Sequence, residues 1–290
     1  MWLAGEDFRI GGLVITVANA PGALAPFRVG AEARSIRLRT VAKASDIAPT
    51  RARGWLASRE REVVCHAMPG GFHVSIESAG EYVVQEGGCV VAALPPRVDD
   101  PLLHEEAILG PPLLLALAMR GTFCLHASAV ARDGRALAIL GESGDGKSTL
   151  ARWLAERASG WQQLTDDQTP IAVGPPAQIL PGFPQLKLRA RLDRREAVPF
   201  AAWVRLVATG GEPGLEPLRP SERLIELSQG LAAARLFPAD MAARAFQACG
   251  DLAERLPGYR LVYPRSWEAL PRVEALLRPL LPTDPGGPGR

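Results

Sequence analysis

One short stretch constrains this chain more than any other. Gly141-Glu-Ser-Gly-Asp-Gly146-Lys147-Ser148 joins an apolar run at 136–140 to a helix-forming run at 149–157. The spacing fits G-x-x-x-x-G-K-[ST]. Glycines at Gly141, Gly144 and Gly146 let successive backbone N–H groups turn inward on one anion, and a helix N-terminus adds its partial positive charge. Lys147 brings a point charge suited to β- and γ-phosphates, and the Ser148 hydroxyl suits Mg²⁺. Ser143 and Asp145 offer mainly backbone, and Thr149 completes the candidate set. The stretch predicts a strand, a phosphate-cradling loop and a helix, which belong in an α/β sheet.

The next acids come quickly. Asp166 and Asp167 close a strand-like run at 161–165, 19 and 20 residues after Lys147. That distance admits one helix and one returning strand. It places both carboxylates at the carboxyl edge of the sheet, where open α/β folds bind ligands. One carboxylate would hold Mg²⁺, directly or through water, and the other would take a proton from an attacking hydroxyl. Spacing leaves the division open; Ser148 and Asp167 are the candidate metal ligands. His126 lies in a strand predicted over 123–131, which Asp133-Gly134 turns into a hairpin with 135–140. From there it would approach the acids. Lys187 alternates with Leu186 and Leu188, so it falls on the solvent or cleft face of a predicted strand. It is a candidate phosphate clamp, with Arg189, Arg191, Arg194 and Arg195 adding positive charge nearby.

Lys147 and Lys187 gain weight from the composition. Of 33 basic residues only three are Lys, the third being Lys43. Where Arg is used so freely, a retained Lys marks a site that wants a compact ammonium rather than a planar fork. The net charge of +2 provides no polybasic field, so nucleic acid is not an expected partner. The longest apolar run, near 113–119, is too short to span a bilayer, so no membrane partner is expected. The N-terminus lacks the basic-then-apolar pattern of a secretory signal. Four scattered cysteines form no C-x-x-C pair, which fits free thiols in a cytoplasmic protein.

Texture divides the chain. Short alternating segments at 8–17, 35–41, 62–67, 72–78, 82–85 and 89–94, punctuated by Gly and Pro, predict a β-rich N-terminal domain over 1–100. Helices are predicted at 101–107 and 112–120. An α/β P-loop domain is expected over 101–281, with strands at 161–165, 169–173, 200–208 and 259–263. Helices at 221–229, 240–256 and 267–281 complete it, and 282–290 reads as a flexible tail.

Leu125-His-Ala-Ser-Ala-Val130, the glycine loop and Leu164-Thr-Asp-Asp167 occur in the order and spacing of the HPr kinase/phosphorylase superfamily. The chain most resembles its HPr kinase-related serine kinases, which often accompany peptide-tailoring gene clusters. Phe183-Pro-Gln-Leu-Lys-Leu188, Leu256-Pro-Gly-Tyr-Arg-Leu261 and Tyr263-Pro-Arg265 are weaker points of similarity. The resemblance is good over about 110–190, extends to 280 and is only architectural over 1–100. It implies an HPr kinase-like fold and ATP- and Mg²⁺-dependent transfer of the γ-phosphoryl group to a Ser hydroxyl. The acceptor would be a small protein or peptide. Lys147 and Ser148 match the phosphate and metal positions, Asp166 and Asp167 the base and metal positions, and His126 the active-site histidine.

Thr149 stands where the bifunctional members carry an acid, and their late signature segment has no clear copy here. The N-terminal region also differs from their regulatory domain. These departures point to a dedicated kinase for another substrate, foremost the C-terminal Ser of a lasso-peptide precursor. The family is commonly hexameric, so the resemblance admits a homo-oligomer. A small-molecule kinase and a nucleotide-switched regulatory module are the alternatives that the same loop allows. The absence of an N-K-x-D guanine motif weakens the second.

Overall fold

The computed structural model describes residues 2–30, 34–37, 48–56, 59–94, 100–184 and 196–281. Lys43, Lys187, Arg189, Arg191, Arg194, Arg195 and the tail at 282–290 lie outside the described residues, as do the expectations placed on them. The fold is mixed α/β with two sheets. The chain divides into two compact units: Met1–Phe123 with Ala232–Ala245, and Cys124–Leu231 with Phe246–Arg290.

The first unit is built on an eight-stranded sheet. Its strands are β1 (Trp2–Ile10), β2 (Leu13–Ala18), β3 (Arg34–Arg37), β4 (Thr50–Leu56), β5 (Arg59–Met68), β6 (Gly71–Ile76), β7 (Gly80–Gln85) and β8 (Val90–Ala93). The order is β3-β1-β2-β8-β7-β6-β5-β4. Neighbours are antiparallel except for the parallel pair β2/β8. The single strand expected over 8–17 is two. Gly11 (φ 53°) and Gly12 (φ 77°) take left-handed angles and fold the run into a hairpin pairing Ile10 with Leu13. β4 is not among the strands the sequence predicts, because its exposed positions are arginines and a tryptophan rather than small polar residues.

Two helices, α1 (Pro101–Leu109) and α2 (Pro111–Met119), also belong to this unit, so its boundary falls after Phe123 rather than at residue 100. The reason is burial: nearly all of α2 is apolar and covered, and it packs on β7 and β8. Asp100 caps α1 by accepting from the Leu102 and Leu103 backbone N–H groups at 3.0 and 3.3 Å. By length and composition Pro101–Met119 would reach across a membrane. Gly110 breaks it into two nine-residue helices, each spanning only about 13 Å.

The second unit carries β9 (Phe123–Leu125), β10 (Ala127–Arg132), β11 (Arg135–Leu140), α3 (Lys147–Arg157), β12 (Trp161–Thr165), β13 (Thr169–Ala172) and β14 (Gln178–Ile179). It continues with β15 (Val198–Ala208), β16 (Gly214–Pro217), α4 (Pro220–Gln229), α5 (Ala239–Arg255), β17 (Gly258–Tyr263) and α6 (Leu270–Leu277). The first turns of α5 and all of Phe123 count with the first unit. β11, β15 and β17 run parallel side by side. β10 is antiparallel to both β11 and β12, so β12 points the same way as β11.

Strands in this centre read as continuous apolar runs because both faces are covered. On β11, Ala136, Ala138 and Leu140 face one core with Leu227 of α4 and Leu252 of α5. Leu137 and Ile139 face the other, with Leu150 and Leu154 of α3 and Val273 of α6. Gly258 sits where an added Cβ would lie 2.3 Å from the Trp203 ring, so only glycine lets β17 close on β15.

A candidate phosphate-binding cleft

Strand register assembles the site. Ala127 pairs with Leu140, so the next step outward sets His126 beside Gly141. Ala129 pairs with Thr165 across β12, so the chain beyond Thr165 runs back toward His126. The carboxyl ends of β11, β12 and β17 therefore share one edge. An open cleft of about 400 Å³ lies there, lined by His126, Lys147, Ser148, Asp167, Tyr263 and Trp267 among others.

The strand expected over 123–131 breaks at His126. Its backbone N–H leaves the ladder and donates to the Gly230 carbonyl at 2.7 Å. This bend turns the imidazole to the cleft, where Nδ1 lies 3.3 Å from Asp167 Oδ1.

The glycine loop is closed by its own groups. Gly144 (φ 92°) and Gly146 (φ 97°) take left-handed angles that other residues rarely adopt. A Cβ on Gly146 would also lie 2.5 Å from the Tyr263 hydroxyl. Asp145 Oδ2 accepts from the Glu142 backbone N–H at 2.6 Å. The Tyr263 hydroxyl donates to the Asp145 carbonyl at 2.8 Å, tying the loop to the end of β17. Lys147 is buried, and its ammonium donates to the Gly141 and Glu142 carbonyls at 2.8 and 3.0 Å. Burial pulls its pKa below the ordinary lysine value, while Asp167 and Asp145 oppose the shift. Ser148 is exposed, and with Ser143, Gly144 and Thr149 it lines the cleft. The Glu142 carboxyl faces the Arg205 guanidinium at 2.8 Å and is held below the usual carboxylate range by it.

The two candidate carboxylates part company. Asp166 is 2% exposed and accepts from the Ser128 hydroxyl at 2.6 Å. It points into the protein and does not line the cleft. Asp167 takes φ 65°, a left-handed angle uncommon for a residue with a Cβ, and lines the cleft instead. The turn sends successive side chains to opposite sides. Beneath it, Thr165 and Thr169 share a 2.6 Å hydrogen bond, and the Thr169 hydroxyl donates to the Ala127 carbonyl at 2.8 Å. This buried network pins the Asp167 turn to β10.

Of the residues expected from the sequence, the structure brings the glycine loop, His126 and Asp167 to one cleft. The sequence did not separate Asp166 from Asp167, and it did not single out Ser128, Tyr263, Ser266 or Trp267. The parallel direction of β17, which opens the residues following it on the same edge as the glycine loop, comes from strand pairing and leaves no local pattern in the sequence. Compared with protein-family models and with curated proteins, the chain matches none.

Proposed function

We propose that the second unit is an ATP- and Mg²⁺-dependent serine kinase of the HPr kinase-related type. The observation that carries this reading is the convergence of Lys147, Ser148, Asp167 and His126 on one cleft at the carboxyl ends of parallel strands. The loop N–H groups and Lys147 would hold the β- and γ-phosphates. The donors present fit Mg²⁺: hydroxyl and carboxylate oxygens are hard ligands, and the ion usually takes only one or two protein carboxylates beside substrate phosphates and waters. Ser148 would hold it together with phosphate oxygens and waters, and it would supply neutralising charge to the transferring group.

In the transfer, the acceptor Ser oxygen bonds to the γ-phosphorus in line with the breaking bond to the β–γ bridging oxygen. The hydroxyl proton passes to Asp167, which the 3.3 Å contact with His126 orients. ADP leaves with the bridging oxygen. Asp166 is a positioning residue, because its carboxylate is spent on Ser128 inside the protein. The acceptor we favour is a Ser at the end of a ribosomal precursor peptide.

The test offers the full chain ATP, Mg²⁺ and a panel of acceptors: peptides with a terminal Ser, peptides with the Ser internal, and small hydroxyl compounds. Mass spectrometry should show one added phosphoryl group on terminal Ser. Transfer to small compounds alone would replace the peptide reading with the small-molecule one. Turnover that ignores every acceptor would favour a nucleotide-switched module.

A further inference from the structure

We infer that Trp267, flanked by Arg265, is the stacking platform for the purine base of the nucleotide. The inference rests on the phosphate reading above. Trp267 is 62% exposed and yet lines the same cleft as Lys147. An exposed indole keeps apolar area in water, and a purine offers a matching π face that can cover it. Arg265 lines the cleft beside it, and no carboxylate pairs with it among the described residues. An unpaired guanidinium there complements a polyanion and can also lie against an aromatic base.

The position of the indole is constrained. Tyr263, four residues earlier, is hydrogen-bonded to the glycine loop, so the wall and the phosphate cradle are mechanically one piece. Leu270, 3% exposed, anchors the following helix in the core and also lines the cleft. Phosphates seated on the loop would thus present their nucleoside to this wall. Among the described residues, Asp167 is the one carboxylate lining the cleft, and it lies beside His126. The wall accordingly offers a flat face and a cation but no acid to read a guanine edge. ATP and GTP should therefore bind with similar affinity.

The experiment titrates the full chain with ATP, GTP and inorganic tripolyphosphate, reading tryptophan fluorescence and calorimetric binding. The inference expects both nucleotides to quench Trp267 and tripolyphosphate to bind without that quench. Trp267→Phe should remove the quench while keeping most of the affinity. Trp267→Ala should weaken ATP by roughly 5- to 150-fold, the range for loss of one base–aromatic stack, and leave tripolyphosphate binding unchanged. If Trp267→Ala binds ATP as tightly as the native chain, the base lies elsewhere and the inference is overturned. Recovered ATP affinity on adding a serine peptide to that variant would instead assign the wall to the acceptor, and also overturns it. If neither ATP nor tripolyphosphate binds the native chain, the phosphate reading itself fails.

Discussion

The two sheets solve different problems with similar materials. The first runs antiparallel at every neighbour but one, and its charged side chains pair across exposed strands, as in Arg51–Glu62 and Arg53–Glu60. Its buried polar groups serve local closure: Arg61 donates to the Leu56 and Glu77 carbonyls, and the Thr16 hydroxyl donates to Asp7. The second sheet runs parallel through its centre, so several strands finish on one edge. There it buries groups that are costly to bury: Lys147, Asp166, Thr165, Thr169 and Ser128. Lys147 lines the cleft, and the other four form the buried network that holds the Asp167 turn at the same edge.

The sharpest way to break this contrast is Lys147→Ala. Loss of the fixed cation should lower phosphoryl transfer by at least about 100-fold, the scale seen when one donor to developing charge is removed. Thermal stability should be retained, because burial already disfavours the charged lysine. The check is a transfer rate set beside a melting curve; a variant that transfers normally would reduce the loop to a structural turn. The lowered pKa also has a sign. Phosphate affinity should fall as pH rises through a value below the ordinary 10.5 of lysine, and a titration that stays flat until above that value would contradict the burial argument.

The aspartates separate structure from chemistry within the second unit. Asp166→Ala leaves the buried Ser128 hydroxyl without its acceptor and should cost about 1–3 kcal/mol of stability, read from denaturant unfolding. Asp167→Asn keeps the shape of a half-exposed side chain. It should leave the melting temperature nearly unchanged while lowering the transfer rate by about 100-fold or more. The reverse pattern would exchange their roles. A matched change in the first unit should be nearly silent: Arg53→Ala removes an exposed ion pair, worth under about 1 kcal/mol.

The site's main chemical groups were legible because a glycine spacing and an acid pair are local patterns. Lys147, Ser148 and the edge location of the acids followed from strand–loop–helix logic alone. Asp166 and Asp167 could not be told apart, because the left-handed turn at Asp167 depends on Ser128, Thr165, Thr169 and Ala127, brought together only by strand register. Trp267 was hidden for a similar reason: its place beside the loop depends on β17 lying parallel to β15. The hairpin at Gly11-Gly12 was written in the sequence, but a continuous apolar alternation masked it. The break at His126 was not legible, since its cause is the distant Gly230 carbonyl.

The smallest effect compares the thiols. All four cysteines are free. Burial raises Cys65 in the first unit and Cys249 in the second to about 11 each, and raises Cys124 as well. Their folded pKa values exceed the ordinary 9.0, so the stability they contribute is complete below pH 9 and is lost as pH climbs toward 11. A disulfide reagent at neutral pH should therefore label Cys89 first, the one cysteine that is not buried. Equal labelling of all four would show that one of the cores opens readily.

The central claim is that the carboxyl edge of the second sheet transfers a phosphoryl group. Its most direct test follows a label on the γ-phosphate of ATP in the native chain, in Lys147→Ala and in Asp167→Asn, each supplied with Mg²⁺ and a serine-terminated peptide. The account predicts that the label moves to the serine hydroxyl with the native chain and is largely retained on ATP with either variant. Equal transfer by all three would contradict it.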